Sequence, residues 1–332
     1  MPSRESHEYW QERRKSPPFG AAGNEFDLHR LRQGMAARQE PANRDVTCIR
    51  SQIDDTPCEW VVAPGADPEL RLLYLHGGGY VSGAGENYLP LAADISTAAQ
   101  CAVLLPDYRL APEYPFPAGL EDCIRAHEWM LASGPFGAAP AKATFIAGDS
   151  AGGGLTLATL LALRDRHQAL PIAAIPLSAF ADLTLASESI QSQSGTEVFM
   201  DPSCLPGFVD LYTPSGDVHN PLVSPVFGDY TGIPPLLIQV GEYEVIRDDS
   251  VRVAAKARAD GVEVKLEVWP GQVHVFQIRG LPESREAVER IADFMHAAYV
   301  ANGGAGPPRA CAALSSEALG SGGVGEAAGA RS

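Results

Sequence analysis

A serine stands between closely spaced glycines in Gly148-Asp149-Ser150-Ala151-Gly152, a setting in which a hydroxyl can do covalent chemistry. Serine is a weak nucleophile, so it must be held exposed on a sharp turn and handed to a base. The apolar run Thr144–Gly148 before it reads as a strand and Gly152–His167 after it as a helix, the context that gives a G-x-S-x-G pattern its meaning. The helix start would also bring partial positive charge toward an oxyanion forming beside Ser150. A second motif, His76-Gly77-Gly78-Gly79, ends the apolar run Arg71–Leu75. Glycines there let backbone N–H groups approach a substrate oxygen with no side chain in the way. Ala151, next to the serine, offers a further N–H. Nucleophile and donors together imply acyl transfer through a tetrahedral intermediate.

Such a serine needs a base and an acid, expected in the order Ser, acid, His after later strands. His274 lies in Pro270-Gly271-Gln272-Val273-His274-Val275-Phe276, just after the run Val262–Trp269, where an imidazole could reach back to Ser150. His127, His167 and His296 fall in helical stretches, His7, His29 and His219 lie outside the core pattern, and His76 reads as a loop-shaping residue. For the acid, Glu244 follows the run Leu236–Val240 by a few residues. Asp248 and Asp249 stand where a helix wants an N-cap. Glu244 is therefore assigned to orient His274 and stabilise its imidazolium.

The elements that must position these groups are legible as alternating runs. Short apolar stretches at Val46–Ile53, Glu59–Val62, Arg71–His76, Cys101–Pro106, Thr144–Gly148, Ile172–Leu177, Leu236–Val240 and Val262–Trp269 read as strands. Helical stretches at Leu89–Ala99, Ala118–Ser133, Gly152–His167, Ser250–Asp260 and Ser284–Tyr299 separate the later ones. Strands joined through helices require crossovers, which favours a mostly parallel sheet with helices on both faces, an α/β class. The first three runs have no helix between them and are expected to pair antiparallel. Two polar helical stretches, Ser3–Lys15 and Asp27–Arg38, precede this pattern, and a proline-scattered insertion from about 179 to 229 interrupts it. Residues 1–300 read as one domain, with a cap from about 1–45 and 179–229. The Gly/Ala/Ser-rich stretch 302–332 cannot bury enough apolar area to offset its ordering entropy and is expected to be disordered.

Composition narrows the function classes. A formal charge of −16 argues against a nucleic-acid partner, which would need clustered Lys and Arg. No run of about 18 apolar residues suggests membrane insertion, and the first fifteen residues lack the apolar core of a secretory signal. The six cysteines show neither C-x-x-C pairs nor zinc spacing, so reduced thiols in a cytoplasmic protein are expected and no metal is.

With these residues placed, the chain resembles the bacterial hormone-sensitive-lipase-like carboxylesterases of the α/β-hydrolase superfamily, from about Leu72 to Tyr299. The carriers are His76–Gly79 followed by Tyr80, Asp107-Tyr108-Arg109-Leu110-Ala111-Pro112-Glu113 with Phe116-Pro117-Ala118, the elbow Gly148–Gly153, and His274. The resemblance implies an α/β-hydrolase fold with an eight-stranded sheet, an N-terminal helical cap, no cofactor and frequent homodimerisation. It selects Gly78 and Gly79, rather than Gly77, to join Ala151 as oxyanion donors. One departure is visible: where such proteins commonly carry Asp-Pro-Leu, this chain has Glu244-Val245-Ile246.

The implied substrate is a small ester, and an enclosing cap points to short or medium acyl chains. Tyr80, Phe180, Phe199 and Phe276 lie on motif flanks or in the insertion and could line an apolar pocket. Two other readings use the same residues. One is hydrolysis of lactones or amides, and the other is a non-catalytic ligand-binding receptor, as gibberellin receptors are on this fold.

Overall fold

The structure, a computed structural model, describes residues 2–20, 26–42 and 45–305; the predicted disordered tail lies, from residue 306 on, outside the described residues. Two short helices come first, α1 (Arg4–Arg13) and α2 (Leu28–Gly34). Each starts at a side-chain cap: Ser3 accepts from the Ser6 N–H and Asp27 from the Arg30 N–H, which satisfies amides that have no partner inside the helix. Then follow β1 (Thr47–Ile53), β2 (Thr56–Val62), β3 (Asp67–Leu75), α3 (Leu89–Ala99), β4 (Cys101–Pro106) and α4 (Ala118–Ala132). A two-residue-a-side hairpin, β5 (Ser133–Gly134) and β6 (Gly137–Ala138), leads into β7 (Ala143–Asp149), α5 (Ala151–Asp165) and β8 (Ala173–Leu177). The insertion carries α6 (Ser189–Ser192) and α7 (Leu205–Tyr212), and the chain ends with β9 (Leu236–Gly241), α8 (Arg247–Ala259), β10 (Val264–Trp269) and α9 (Pro282–Ala301).

Eight strands form one sheet in the order β1-β2-β4-β3-β7-β8-β9-β10. From β4 to β10 every pairing is parallel, as helical crossovers require. The expected antiparallel start is corrected in part. β2 pairs antiparallel with β1 and with β4, but β3 does not pair with β2. It leaves a slot that β4 fills after the α3 crossover, so β3 becomes parallel to both of its neighbours.

Adjacent strand residues serve opposite faces, as a two-residue period dictates. Leu73, Leu75 and Ile146 face one core with α4, α5 and α8, whereas Leu72, Tyr74 and Phe145 face another with α3 and α9. This is why the central strands are apolar throughout. Truncating a fully buried leucine such as Leu73 would cost about 2–5 kcal/mol.

The N-terminal segment and the insertion meet each other. Phe26 packs edge-to-face on Phe208 of α7 with centroids 4.9 Å apart, Phe19 lies 6.1 Å from the same ring, and Phe19 forms an isolated parallel bridge with Met200. Asp248 and Asp249 do not cap α8, as expected from the sequence, because that helix begins one residue earlier at Arg247. Asp249 instead accepts from the N–H groups of Ala181 and Asp182 at 3.0 and 2.9 Å and from the Ser187 hydroxyl at 2.5 Å, tying the start of the insertion to α8. At the far end, Glu283 in the first turn of α9 accepts from the Ser3 N–H, the Ser3 hydroxyl at 2.9 Å and the Ser6 hydroxyl at 2.5 Å. That fastens α1 to α9 and buries Trp10 in a cluster with Trp269, Val273 and Phe276.

Candidate active site

Ser150 sits where β7 turns into α5, with φ +52° and ψ −118°, a conformation that side-chain-bearing residues rarely hold. Hydrogen bonds fix the turn. The Ser150 N–H donates to the Leu177 carbonyl at 2.9 Å, and its carbonyl accepts from Gly154 at 3.0 Å and Phe180 at 2.8 Å. The flanking glycines are required by contact: a Cβ on Gly148 would lie 2.6 Å from the Leu75 carbonyl oxygen, and one on Gly152 would lie 2.5 Å from that of His76.

The loop after β10 brings His274 to this hydroxyl. Its Nε2 lies 3.0 Å from Ser150 Oγ and its Nδ1 lies 2.9 Å from Glu244 Oε2. The histidine side chain is 12% exposed and the glutamate fully buried, so the pair interacts through little water. Burial alone would pull the imidazole pKa down. The Glu244 hydrogen bond and charge, joined by the charges of Glu197 and Asp149, outweigh that and raise it above its usual value. Glutamate, one methylene longer than the aspartate common in similar proteins, therefore reaches the ring without difficulty.

The other oxygen of Glu244 is held as well. Oε1 accepts from the Ser178 hydroxyl at 2.7 Å and from the Gly241 N–H at 2.5 Å, and Ser178 Oγ in turn accepts from the Val275 N–H at 3.3 Å. Ser178 thus links the loop that carries Glu244 to the loop that carries His274. Sequence reasoning missed it. The signal available was a small polar residue directly after a buried strand, at the same level as the two loops that carry Glu244 and His274.

Ahead of the serine, Gly78 and Gly79 adopt φ +121° and +64°, the left-handed region where glycine is tolerated at no steric cost. The Gly77 N–H is already engaged, donating to Asp149 Oδ1 and to the Tyr88 hydroxyl, both at 3.1 Å. Among the described residues the N–H groups of Gly78, Gly79 and Ala151 have no hydrogen-bond partner. Asp149 also accepts from Tyr74 and Tyr88, each at 2.9 Å, and burial pushes its pKa up to about 6 against those bonds. His76 stacks on Tyr108 with centroids 4.2 Å apart, with Nδ1 2.8 Å from the Gly77 carbonyl. Burial lowers its pKa to about 4, and it makes no hydrogen bond to Ser150, in keeping with a loop-shaping position.

A cavity of about 650 Å³ opens beside Ser150, His274, Gly78 and Gly79. Of the four aromatic residues expected to line it, Phe180 and Phe199 do. Tyr80 and Phe276 do not, and that expectation is corrected. With φ +67°, Tyr80 turns into the core, where it stacks on Tyr212 at 4.0 Å and donates to the Phe180 carbonyl at 2.6 Å. Phe276 is fully buried against Trp269. Their places in the wall are taken by Phe19, Phe208, Met200 and Ile246. Among the described residues no cluster of His, Cys, Asp or Glu could hold a metal ion, and no helix is long and apolar enough to cross a membrane.

This arrangement is one that others share. A family model for the alpha/beta hydrolase fold matches residues 72–278. An acetyl-hydrolase of Streptomyces hygroscopicus is 40% identical over 242 residues, covering 72% of this chain and 79% of the relative. The crystal structure of EstE5 soaked with p-nitrophenyl butyrate superposes with a TM-score of 0.83 at 37% identity, covering 90% of this chain and 99% of that one. A hormone-sensitive lipase from a metagenome library superposes with a TM-score of 0.81 at 32% identity and the same coverage.

Proposed function

The chain belongs to the α/β-hydrolase fold family, in its bacterial hormone-sensitive-lipase-like branch, and on that premise we propose that it is a serine carboxylesterase acting on short- to medium-chain acyl esters. One observation carries the reading: the unbroken relay from Ser150 Oγ through His274 to Glu244, with contacts of 3.0 and 2.9 Å. His274 Nε2 takes the proton as Ser150 Oγ adds to the ester carbonyl, and Glu244 stabilises the imidazolium without itself taking the proton. The new oxyanion is received by the N–H groups of Gly78, Gly79 and Ala151. Collapse expels the alcohol, protonated by His274, and leaves an acyl-serine. Water, activated by the same imidazole, then adds to the acyl carbon and releases the acid.

Each oxyanion donor is worth about 2.7–4 kcal/mol in the transition state. The N-terminal segment and the insertion form the cap in this reading, supported by the Phe19, Phe26 and Phe208 contacts over the cavity. Free Cys48, Cys58, Cys101, Cys123 and Cys204 agree with a reducing, cytoplasmic setting, and homodimerisation, implied by the resemblance, is checked by native mass. A purely ligand-binding role is disfavoured by an imidazole already in hydrogen-bond range of the serine. Labelling with a fluorophosphonate tests the proposal. Modification of Ser150 together with loss of p-nitrophenyl butyrate turnover supports it, and modification elsewhere with turnover retained refutes it.

A further inference from the structure

The cavity beside Ser150 has a charge character that simple ester hydrolysis does not call for. Arg13, Arg30 and Arg279 line it, and the carboxylate among its described lining residues is Asp149, whose oxygens are already held by Tyr74, Tyr88 and Gly77. This positive lining occurs in a chain of formal charge −16, so it is local rather than a reflection of overall composition.

Arg279 is the unusual member. Its guanidinium carbon lies 3.9 Å from the centroid of the Phe199 ring, and that of Arg13 lies 5.0 Å from the same centroid. A ring face stabilises a cation but accepts few of its five N–H donors. The Arg279 guanidinium has one side-chain hydrogen-bond partner, Tyr9, but its Nε is buried with none, and among the described residues no carboxylate lies within ion-pair distance of Arg279. The carboxylate whose charge it senses, Glu197, places Oε1 on the N–H groups of Val198 and Phe199 at 2.8 and 3.0 Å. A charged donor left short of acceptors in a largely dry wall is destabilising unless something pairs with it. What would pair with it is a ligand, because the group borders the cavity.

We propose that Arg279, assisted by Arg13, forms an anion subsite, and that the preferred substrates are esters carrying a carboxylate elsewhere in the molecule. A planar carboxylate matches the guanidinium fork with two parallel hydrogen bonds, which a hydroxyl or amide does not. Phe199 holds the two guanidinium groups in place, and Phe180 and Phe208 keep the rest of the wall apolar for the carbon chain between ester and anion. The inference rests on the esterase reading given above, and it adds the substrate class.

The test compares matched esters. Monomethyl adipate against methyl hexanoate places the charge on the acyl side, and the butyrate ester of para-hydroxybenzoate against phenyl butyrate places it on the alcohol side. In at least one pair the wild-type kcat/KM should favour the charged member. In Arg279→Met that preference should fall by about ten- to a hundredfold, the usual worth of a charge-assisted hydrogen bond, with Arg279→Lys intermediate. Equal treatment of charged and neutral members in both pairs by the wild type, or a ratio unmoved in Arg279→Met, overturns the subsite. Calorimetric binding of adipate against hexanoate reads the same site without turnover. Adipate bound by wild type and lost in Arg279→Met sustains the subsite even if neither ester is cleaved, an outcome that would count against the esterase reading alone. Adipate bound no better than hexanoate by the wild type overturns the subsite even if both esters are cleaved.

Discussion

Gly152, the last residue of the serine elbow, packs against the carbonyl of Leu75, the last residue of β3, with no room for a side chain between them. The turn that holds the proposed nucleophile and the glycine loop that holds the proposed oxyanion donors therefore rest on one another, and a change in either moves both. Gly152→Ala places a methyl where the Leu75 oxygen already is. Overpacking of this kind costs about 1–3 kcal/mol, and kcat should fall by more than the stability loss alone accounts for. Thermal melts and turnover of p-nitrophenyl butyrate measure the two effects separately, and a variant with a wild-type kcat would contradict the shared packing.

Ser150, the proposed nucleophile, holds a strained backbone. Relaxing a backbone in a sparsely populated region recovers on the order of 1–3 kcal/mol, and glycine alone adopts it freely. Ser150→Gly and Ser150→Ala should both lose about 10⁶ in kcat, in line with nucleophile deletions elsewhere. They should differ in stability, with Ser150→Gly melting higher than Ser150→Ala. Denaturant titration of the pair decides the matter, and equal midpoints would show the turn to be unstrained.

Glu244 holds His274 with one oxygen and is itself held through the other. Glu244→Gln keeps the shape but can present an N–H to Nδ1, which favours the wrong tautomer and should cost about 10⁴ in kcat. Ser178→Ala leaves the carboxylate in place and removes one of its supports, so the loss should be smaller, on the order of tenfold for a neighbour that orients rather than reacts. Steady-state kinetics rank the two. A Ser178→Ala loss as large as that of Glu244→Gln would mean that the hydroxyl does more than position the acid.

The pH profile follows from the environment of His274. In the proposed mechanism the imidazole must be neutral to accept the serine proton, and its pKa is raised above 6.5 because the Glu244 hydrogen bond and charge, with Glu197 and Asp149, outweigh burial. The rate constant kcat/KM should rise with pH through a midpoint above 6.5, and Glu197→Gln, which removes one of those charges, should move that midpoint to lower pH. The same raised pKa stabilises the fold below the unfolded value, and the contribution is lost as pH rises through the folded one. Activity and this part of the stability therefore run in opposite directions. A midpoint unmoved in Glu197→Gln would exclude a through-space effect of that carboxylate.

Much of this fold is legible in the sequence. The bounds of Cys101–Pro106 and Leu89–Ala99 agree with the observed elements residue for residue, because buried strands and amphipathic helices write their period directly into the chain. Chain order and strand ends constrain Ser150, Glu244 and His274, and the structure brings the three side chains within hydrogen-bond distance of one another in turn. Features set by tertiary geometry are not legible in this way. Tyr80 and Phe276 adjoin motif residues, but adjacency along the chain does not fix which way a side chain turns after a left-handed backbone step, and both Tyr80 and Val275 take such a step. Phe208 and Met200 reach the cavity from an insertion without strong periodicity, whose path depends on the N-terminal segment it packs against. Arg71, a charge in the middle of β3, gave no warning of its role. It is buried because its guanidinium satisfies the carbonyls of Pro68, Met130 and Ala139 at 2.6–2.9 Å.

The bond from Ser3 and Ser6 to Glu283 joins a stretch translated before any of the sheet to a helix translated after all of it. During synthesis, then, the serine elbow and its glycine loop can fold and meet while the wall that carries Arg13 still lacks its anchor. The bond to Glu283 cannot form until α9 has been made, so a nascent chain stalled before α9 would leave the wall that carries Arg13 unfastened.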